Sequence, residues 1–162
     1  MDLQSPVTAL LDQHHIAYRI IEIPLSEDKK PVRQLEELLH EQGLKPKSVV
    51  RSIVFRTGSE QFVLLAVAGG GRADWASLRE QLEERKLRMA EYDEVQAATG
   101  YVVGAVAPIA LPEELRVLVD SSVYDYEDVV IGSGVLGYAL GLKSRDLSKL
   151  LADAPMGNFA QH

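Results

Sequence analysis

Two neighbouring runs of strand-forming residues constrain the fold of this chain more than any other feature. Val49 to Phe55 and Gln61 to Ala68 are rich in β-branched and aromatic residues, which favour extended strands. The segment between them, Arg56 to Glu60, contains Gly58 and has a length typical of a hairpin connection. We therefore predict an antiparallel pair of strands here.

Helical patterns surround this pair, and further short strands follow it. Ser5 is placed to cap a helix that starts at Pro6, and Asp74 to cap another that runs to Leu82. The other predicted helices cover Val32 to Leu39 with a stop at Gly43, Glu91 to Ala98, and Ser144 or Arg145 to Leu151. The other predicted strand segments are Tyr18 to Ile23, Tyr101 to Ala107, Val117 to Val119, Val129 to Ile131, and Ala139 to Leu142. Because these elements do not alternate as regular βαβ units, we expect an α+β domain with a curved, barrel-like mixed sheet flanked by helices.

The composition favours one globular domain, which we expect to span residues 1–154, with a flexible tail at 155–162. The 162 residues are 46% hydrophobic and 25% charged, and none is a cysteine. No apolar run is long enough to cross a membrane and the N-terminus is acidic, so we expect a cytoplasmic protein without a membrane partner. A formal net charge of −7 argues against non-specific coating of nucleic acid, so any RNA contact needs a local basic patch.

A glycine motif, Gly132 to Gly137, has the GxGxxG pattern and follows the predicted strand Val129 to Ile131. In a dinucleotide site the last glycine opens a helix inside a βαβ unit. Here the next residues are strand-like, and only 25 residues follow Gly137. We therefore favour a glycine-rich turn beside a pocket over a dinucleotide site.

The sequence offers no convincing metal site or serine nucleophile. His14 and His15 are adjacent on a helix and point in different directions, and no HExxH or HxH pattern occurs. Ser133 lies between two glycines but lacks the GxSxG context of a nucleophile elbow. We therefore expect no metal and no cofactor.

Arg51 is the only charged residue within its apolar strand run. By strand alternation it shares a face with Val49, Ile53 and Phe55. A guanidinium among apolar neighbours is rarely buried without an anionic partner. Two interpretations remain open: an anion-binding residue, or an edge residue whose head group reaches solvent.

The stretch from Thr99 to Pro108 carries two glycines, Gly100 and Gly104, around a short apolar segment. Glycine lets backbone N–H groups approach a ligand closely, and such groups can stabilise an oxyanion without a catalytic side chain. A bulged strand is the alternative interpretation, and spacing alone does not decide between them.

At this stretch the chain resembles the YbaK family of aminoacyl-tRNA deacylases, which is similar to the editing domain inserted in bacterial prolyl-tRNA synthetases. The resemblance extends from about Ser5 to Leu151. It is carried by the order of short segments: His15 to Tyr18, Val50 to Val54, Asp74 to Leu78, Thr99 to Pro108, Val119 to Ser122, Ile131 to Gly134 with Gly137, and Asp146-Leu147.

The resemblance implies a metal-independent hydrolysis of the ester that joins a wrong amino acid to the 3′ adenosine of tRNA. It implies that a ribose hydroxyl helps to activate water, and that backbone amides near Gly100 and Gly104 hold the carbonyl oxygen. The family's signature lysine falls on Arg51, and an acid common in the family falls on Ala139. An arginine stays charged, so it can hold a phosphate or polarise a carbonyl but cannot act as a base. The resemblance and the local patterns together suggest substrate-binding roles for Tyr18, Lys45, Lys47, Ser52, Tyr101, Gly132, Ser133 and Gly134.

These observations predict a free-standing enzyme that deacylates mischarged tRNA in trans, with the acceptor end of aminoacyl-tRNA as its partner and an aminoacyl-tRNA synthetase as a further partner. Two alternatives stay open. One is a non-catalytic module that kept the pocket and lost the chemistry, which Arg51 and Ala139 favour. The other is a small-molecule or nucleotide-binding protein, which the GxGxxG pattern supports only if a helix follows Gly137.

Overall fold

The structure is a computed structural model that describes residues 3–28, 30 and 34–162. Val32, which we expected to open the second helix, lies outside these residues. The α-helices are α1 Pro6–Gln13, α2 Leu35–Glu41, α3 Trp75–Leu82, α4 Tyr92–Thr99 and α5 Ser144–Leu150. The strands are β1 Arg19–Glu22, β2 Arg51–Thr57, β3 Phe62–Val67, β4 Arg72–Ala73, β5 Leu87–Met89, β6 Arg116–Asp120, β7 Asp128–Gly132, β8 Tyr138–Lys143, β9 Met156–Gly157 and β10 Ala160–Gln161.

The helix starts confirm the capping predictions. The Ser5 hydroxyl accepts a hydrogen bond from the Thr8 N–H, and Pro6 occupies the first turn of α1. The Asp74 carboxylate accepts from the Ser77 N–H at the start of α3. None of the described helices has the length and apolar character needed to cross a membrane.

The strands form a mixed five-stranded sheet in the order β5-β2-β3-β6-β9 and an antiparallel three-stranded sheet in the order β1-β8-β7. The predicted hairpin is confirmed, since β2 pairs antiparallel with β3, from Arg51 opposite Val67 to Arg56 opposite Phe62. A parallel bridge between Val49 and Val130 joins the two sheets. The α+β class is confirmed, but the described strands do not close into a barrel.

The core is shared by α1 and both sheets. Val7 and Leu11 of α1 pack in one cluster with Val50, Val119 and Leu140. A second cluster lies between α3 and the larger sheet, where Phe55 meets the Trp75 ring edge to face, with centroids 5.1 Å apart. The two sheets are therefore held in a fixed relation by buried apolar contacts.

The tail that we expected to be flexible is instead paired with the rest of the protein. Strand β9 lies parallel to β6, and β10 pairs antiparallel with β4. Phe159 is only 5% exposed and packs with Leu118 and Leu78 under the larger sheet. The strand propensity of this short, glycine-containing segment does not predict such pairing, because the tail is ordered by contacts with distant strands.

We expect Phe159→Ala to lower the free energy of unfolding by about 3–5 kcal/mol, because it empties a buried aromatic site. Met156→Ala, at an exposed position in the same tail, should change it by less than about 0.5 kcal/mol. Chemical denaturation of the three proteins checks this. A Phe159→Ala protein as stable as the wild type would show that the tail does not contribute to the core.

Candidate functional site

A gap along the outer edge of β2 defines the candidate site. At one end of the gap, the Val50 N–H donates to the Val130 carbonyl of β7 at 2.7 Å. At the other end, the Val54 carbonyl accepts from the Ala90 N–H at 2.9 Å. Peptide groups alternate between the two edges of a strand, so those of Ser52 point to the same edge, between these two partners. Strand β5 pairs with β2 only from Phe55 to Thr57, which leaves this edge open at Ser52.

A cavity of about 340 Å³ opens at this gap, between the two sheets, α4 and the loop that follows it. Its walls are mainly apolar and include Val54, Val95, Val106 and Ile131. The side chains with polar groups along it are those of Arg51, Ser52, Tyr92 and Tyr138. A mostly apolar hollow with a few polar groups is the usual form of a small-ligand site.

Ser52 lines this cavity and has an unpaired hydroxyl. Its Oγ is buried and has no hydrogen-bond partner among the described residues. Buried hydroxyl groups are nearly always paired, since an unpaired one costs about 1–3 kcal/mol. The Ser52 hydroxyl is therefore a candidate contact for a bound ligand.

The segment after α4 is a loop, so the bulged-strand interpretation is wrong. Gly100 ends α4 with φ at 83°, and Gly104 has φ at 100°, both in the left-handed region that favours glycine. The Ala105 N–H donates to the Val102 carbonyl and closes a turn. Within the described part of the chain, the N–H groups of Val103 and Gly104 have no hydrogen-bond partner. Both residues line the cavity, whereas Gly100 does not.

The GxGxxG motif forms the support of this loop. A Cβ atom on Gly132 would lie 2.1 Å from the Val106 carbonyl oxygen, so only glycine allows the two backbones to touch. The Gly134 N–H donates to the Ala105 carbonyl at 2.9 Å. The motif connects antiparallel β7 to β8, so a strand and not a helix directly follows Gly137. The motif therefore gives no support to the small-molecule or nucleotide-binding alternative.

Tyr101 and Ser133, both predicted to bind substrate, lie behind the cavity and not on its wall. The buried Tyr101 hydroxyl donates to the Ala110 carbonyl at 2.7 Å, and burial raises the pKa of Tyr101 to about 12. The Ser133 side chain is fully buried, and its hydroxyl donates to the Tyr138 carbonyl at 2.7 Å. Both hydroxyl groups are engaged with backbone carbonyls.

Three further predicted residues lie away from the cavity. Tyr18 lines a separate hollow beside Leu44 and Lys143, and burial, followed by the nearby Asp12 carboxylate, raises its pKa. Lys45 and Lys47 are exposed, next to and within the 3₁₀ helix Pro46–Ser48 that leads into β2.

Arg51 lies at the start of β2, along the cavity, where its guanidinium donates to the Gly71 carbonyl. Gly71 belongs to the glycine-rich loop Gly69 to Gly71, which follows β3. This loop is also bonded to Lys47, whose carbonyl accepts from the Gly69 N–H at 2.8 Å. Arg72 is the next residue in the chain after this loop. The loop therefore connects Arg51, which lies along the cavity, with the backbone of Lys47, which lies outside it.

An exposed apolar rim, which the sequence patterns did not predict, borders the cavity. Met89, Tyr92 and Val103 line the cavity and are 51%, 78% and 37% exposed. Exposed apolar side chains clustered at a cavity mark an interaction surface more often than scattered ones do. An aromatic at the start of the otherwise polar helix α4 was the available signal for Tyr92.

The family is decided by a match over most of the chain. Residues 29–150 match the model of the aminoacyl-tRNA editing domain. The chain belongs to that family. The editing domain thus includes β2, the loop after α4 and the glycine turn, which together surround the cavity.

Relatives and solved structures agree with this assignment. A proline–tRNA ligase of Trichlorobacter lovleyi is 33% identical over 65% of this chain, but the match spans only 18% of the ligase. A protein of Enterococcus faecalis named "Putative Cys-tRNA(Pro)/Cys-tRNA(Cys) deacylase EbsC" is 21% identical over 94% of this chain and 88% of its own length. A crystal structure titled as "a putative trans-editing enzyme for prolyl tRNA synthetase" superposes with a TM-score of 0.78 at 21% identity, covering 99% of this chain and all of the other.

Two serines allow the unpaired hydroxyl to be tested. Ser52→Ala should leave the free energy of unfolding unchanged or raise it by up to about 1 kcal/mol, because it removes a buried group without a partner. Ser122→Ala is the matched control: the Ser122 hydroxyl accepts the buried Ala68 N–H at 3.0 Å, so its loss should cost about 1–3 kcal/mol. Denaturant titration checks both. Equal destabilisation by the two substitutions would mean that Ser52 has a structural role.

Proposed function

We propose that this editing domain hydrolyses the ester bond of mischarged aminoacyl-tRNA, and that it does so in trans as the sequence predicts. Membership of the aminoacyl-tRNA editing domain family supports the reaction. The match to the Enterococcus protein over most of both chains supports action as a separate deacylase. The names of the relatives make tRNA(Pro) the first tRNA to test.

The observation that carries the proposal is the pair of unpartnered N–H groups at Val103 and Gly104, on the wall of the same cavity as the unpaired Ser52 hydroxyl. When water adds to the ester carbonyl, negative charge develops on the carbonyl oxygen. Backbone N–H groups already fixed at that position stabilise this charge without reorganisation. The bond to the ribose oxygen then breaks, releasing the free amino acid and restoring the tRNA hydroxyl.

The proton of the attacking water needs an acceptor that the cavity side chains do not offer. Among the described residues that line the cavity there is no histidine and no carboxylate. Arg51 stays protonated and cannot accept a proton. We infer, as the family resemblance implies, that a ribose hydroxyl of the terminal adenosine helps to activate this water. The hydroxyl relays the proton of the water, which ends on the departing ribose oxygen.

The cationic residues around the glycine-rich loop fit the acceptor end of a tRNA. Arg51 reaches the cavity itself, where a guanidinium can hold a phosphate or polarise the ester carbonyl. Lys45 and Lys47 lie outside the cavity and are exposed, which suits contacts to backbone phosphates. Because the overall charge is −7, such contacts need a local cluster of cationic residues.

The direct test is deacylation of a panel of mischarged tRNAs that includes Cys-tRNA(Pro). We expect at least one to lose its labelled amino acid faster than spontaneous hydrolysis at micromolar protein. A rate equal to the spontaneous rate for every substrate would contradict the proposal and favour a non-catalytic binding module.

Arg51→Ala should reduce hydrolysis of the best substrate by roughly 30- to 1000-fold, the effect of losing a preorganised donor worth about 2–4 kcal/mol. Arg51→Lys should restore much of the rate if a point charge suffices, and little if the planar fork is required. Arg116→Ala, an exposed arginine outside the cavity, is the matched control and should keep the wild-type rate. A folded Arg51→Ala protein with the wild-type rate would show that Arg51 is structural.

A binding module without catalysis is the second candidate, and Ala139 is the observation that favours it. Ala139 lines the cavity at the position where the family resemblance places an acid. Loss of that acid removes a potential partner for the substrate's ammonium group. Tight binding of aminoacyl-tRNA with no acceleration of hydrolysis would support this candidate.

A further inference from the structure

The C-terminal strand closes over the glycine-rich loop that follows β3. Strand β10 pairs with β4, so that Gln161 lies opposite Arg72. The Phe159 carbonyl accepts from the Asp74 N–H, and the Phe159 N–H donates to Asp120 Oδ1, each at 2.8 Å. The last residues are therefore held in place from both sides.

His162 is fixed by a buried carboxylate and packs on the loop. Its Nε2 lies 3.1 Å from Oδ2 of Asp120, which is 1% exposed. Burial opposes ionisation of Asp120, but hydrogen bonds from Ser122, His162 and Phe159 outweigh it and lower the pKa of Asp120. On the other side, a Cβ atom on Gly71 would lie 2.5 Å from the His162 ring. Loop and ring are thus in direct contact.

The loop connects this contact to Arg51. The Gly71 carbonyl accepts from the Arg51 guanidinium, and the Gly69 N–H donates to the Lys47 carbonyl. Gly69 and Gly70 both have φ above 70°, a conformation that glycine adopts easily and leaves easily. A run of three glycines has little rigidity of its own, so its position depends on the groups packed against it.

We propose that His162 is a positioning residue for Arg51: its ring, held by Asp120, fixes Gly69 to Gly71 and thereby orients the guanidinium along the cavity. The effect on hydrolysis rests on the proposed function, whereas the effect on the Arg51 side chain does not. None of the segments that carry the family resemblance includes His162.

A double-mutant cycle tests the coupling. In the wild-type background His162→Ala should lower kcat/KM by about 3- to 10-fold, since a misplaced donor loses much of its effect. In the Arg51→Ala background the same substitution should change kcat/KM by less than about 2-fold, because the group it positions is gone. No loss in the wild-type background, or equal losses in both, would overturn the proposal. His14→Ala, at the exposed end of α1, is the matched control and should not change kcat/KM.

Gly71→Ala approaches the same contact from the loop. Its new methyl group should displace the His162 ring and cause a loss of kcat/KM similar to that of His162→Ala. In the His162→Ala background, Gly71→Ala should lower kcat/KM by less than about 2-fold, since the ring that the methyl group would strike is absent. Multiplicative losses would show that Gly71 and His162 act independently and would contradict the proposal.

A third measurement is independent of any substrate. NMR relaxation of the Arg51 side chain should show increased mobility in His162→Ala and unchanged mobility in His14→Ala. An Arg51 guanidinium as ordered in His162→Ala as in the wild type would refute the positioning role, even if the protein deacylated no tRNA. Increased Arg51 mobility in His162→Ala, together with a wild type that deacylates no tRNA, would support the positioning role and contradict only the proposed function.

Discussion

The hydrogen bond from Val50 to Val130 is the constraint on which the candidate site depends. It joins β2 to the smaller sheet at one point, while β5 covers β2 only from Phe55 onward. Between these partners the edge of β2 is open, and the cavity occupies the space that a continuous sheet would have closed. The site is thus a consequence of how the segment that leads into β2 bridges the two sheets.

The chemistry proposed for this cavity resides largely in the backbone. Gly104 lies in the left-handed region and its N–H group has no partner among the described residues, and Gly132 lets β7 touch the loop at Val106. A side chain at Gly132 would push the loop away by more than 1 Å, since the Cβ atom would lie 2.1 Å from a carbonyl oxygen. The glycines therefore determine where the N–H groups lie, which gives the GxGxxG pattern a structural role in this fold.

The Arg51 guanidinium and the C-terminal residue His162 both contact the glycine-rich loop after β3. The chain carries a net charge of −7, yet the glycine-rich loop after β3 accepts a hydrogen bond from the Arg51 guanidinium, is bonded to the Lys47 backbone and is followed by Arg72. An arginine in place of the family's lysine retains the positive charge and adds a planar fork with fixed geometry. Such a fork is useful only when it is oriented, and the contact between the loop and His162 supplies an orientation that the loop itself lacks.

The sequence by itself determined the local structure and the family. The caps at Ser5 and Asp74, the hairpin between β2 and β3, and the segments that resemble the editing domain were all predictable, because each depends on residues close together in the chain. The sequence also indicates Arg51, Ser52, Gly104 and Gly132 as site residues, and all of them line the cavity. Their roles in catalysis and binding remain predictions.

Only the tertiary structure decided which of these residues share one space. Tyr101 and Ser133 lie within two residues of cavity-lining residues in the chain. Their hydroxyl groups nevertheless donate to backbone carbonyls behind the cavity wall. Tyr92 and the tail at His162 gave weak sequence signals, because their positions follow from pairing and packing with segments far away in the chain. Local propensity fixes where a strand or turn begins. The open edge of β2 and the order of the tail arise from contacts between distant segments, which a single sequence does not reveal.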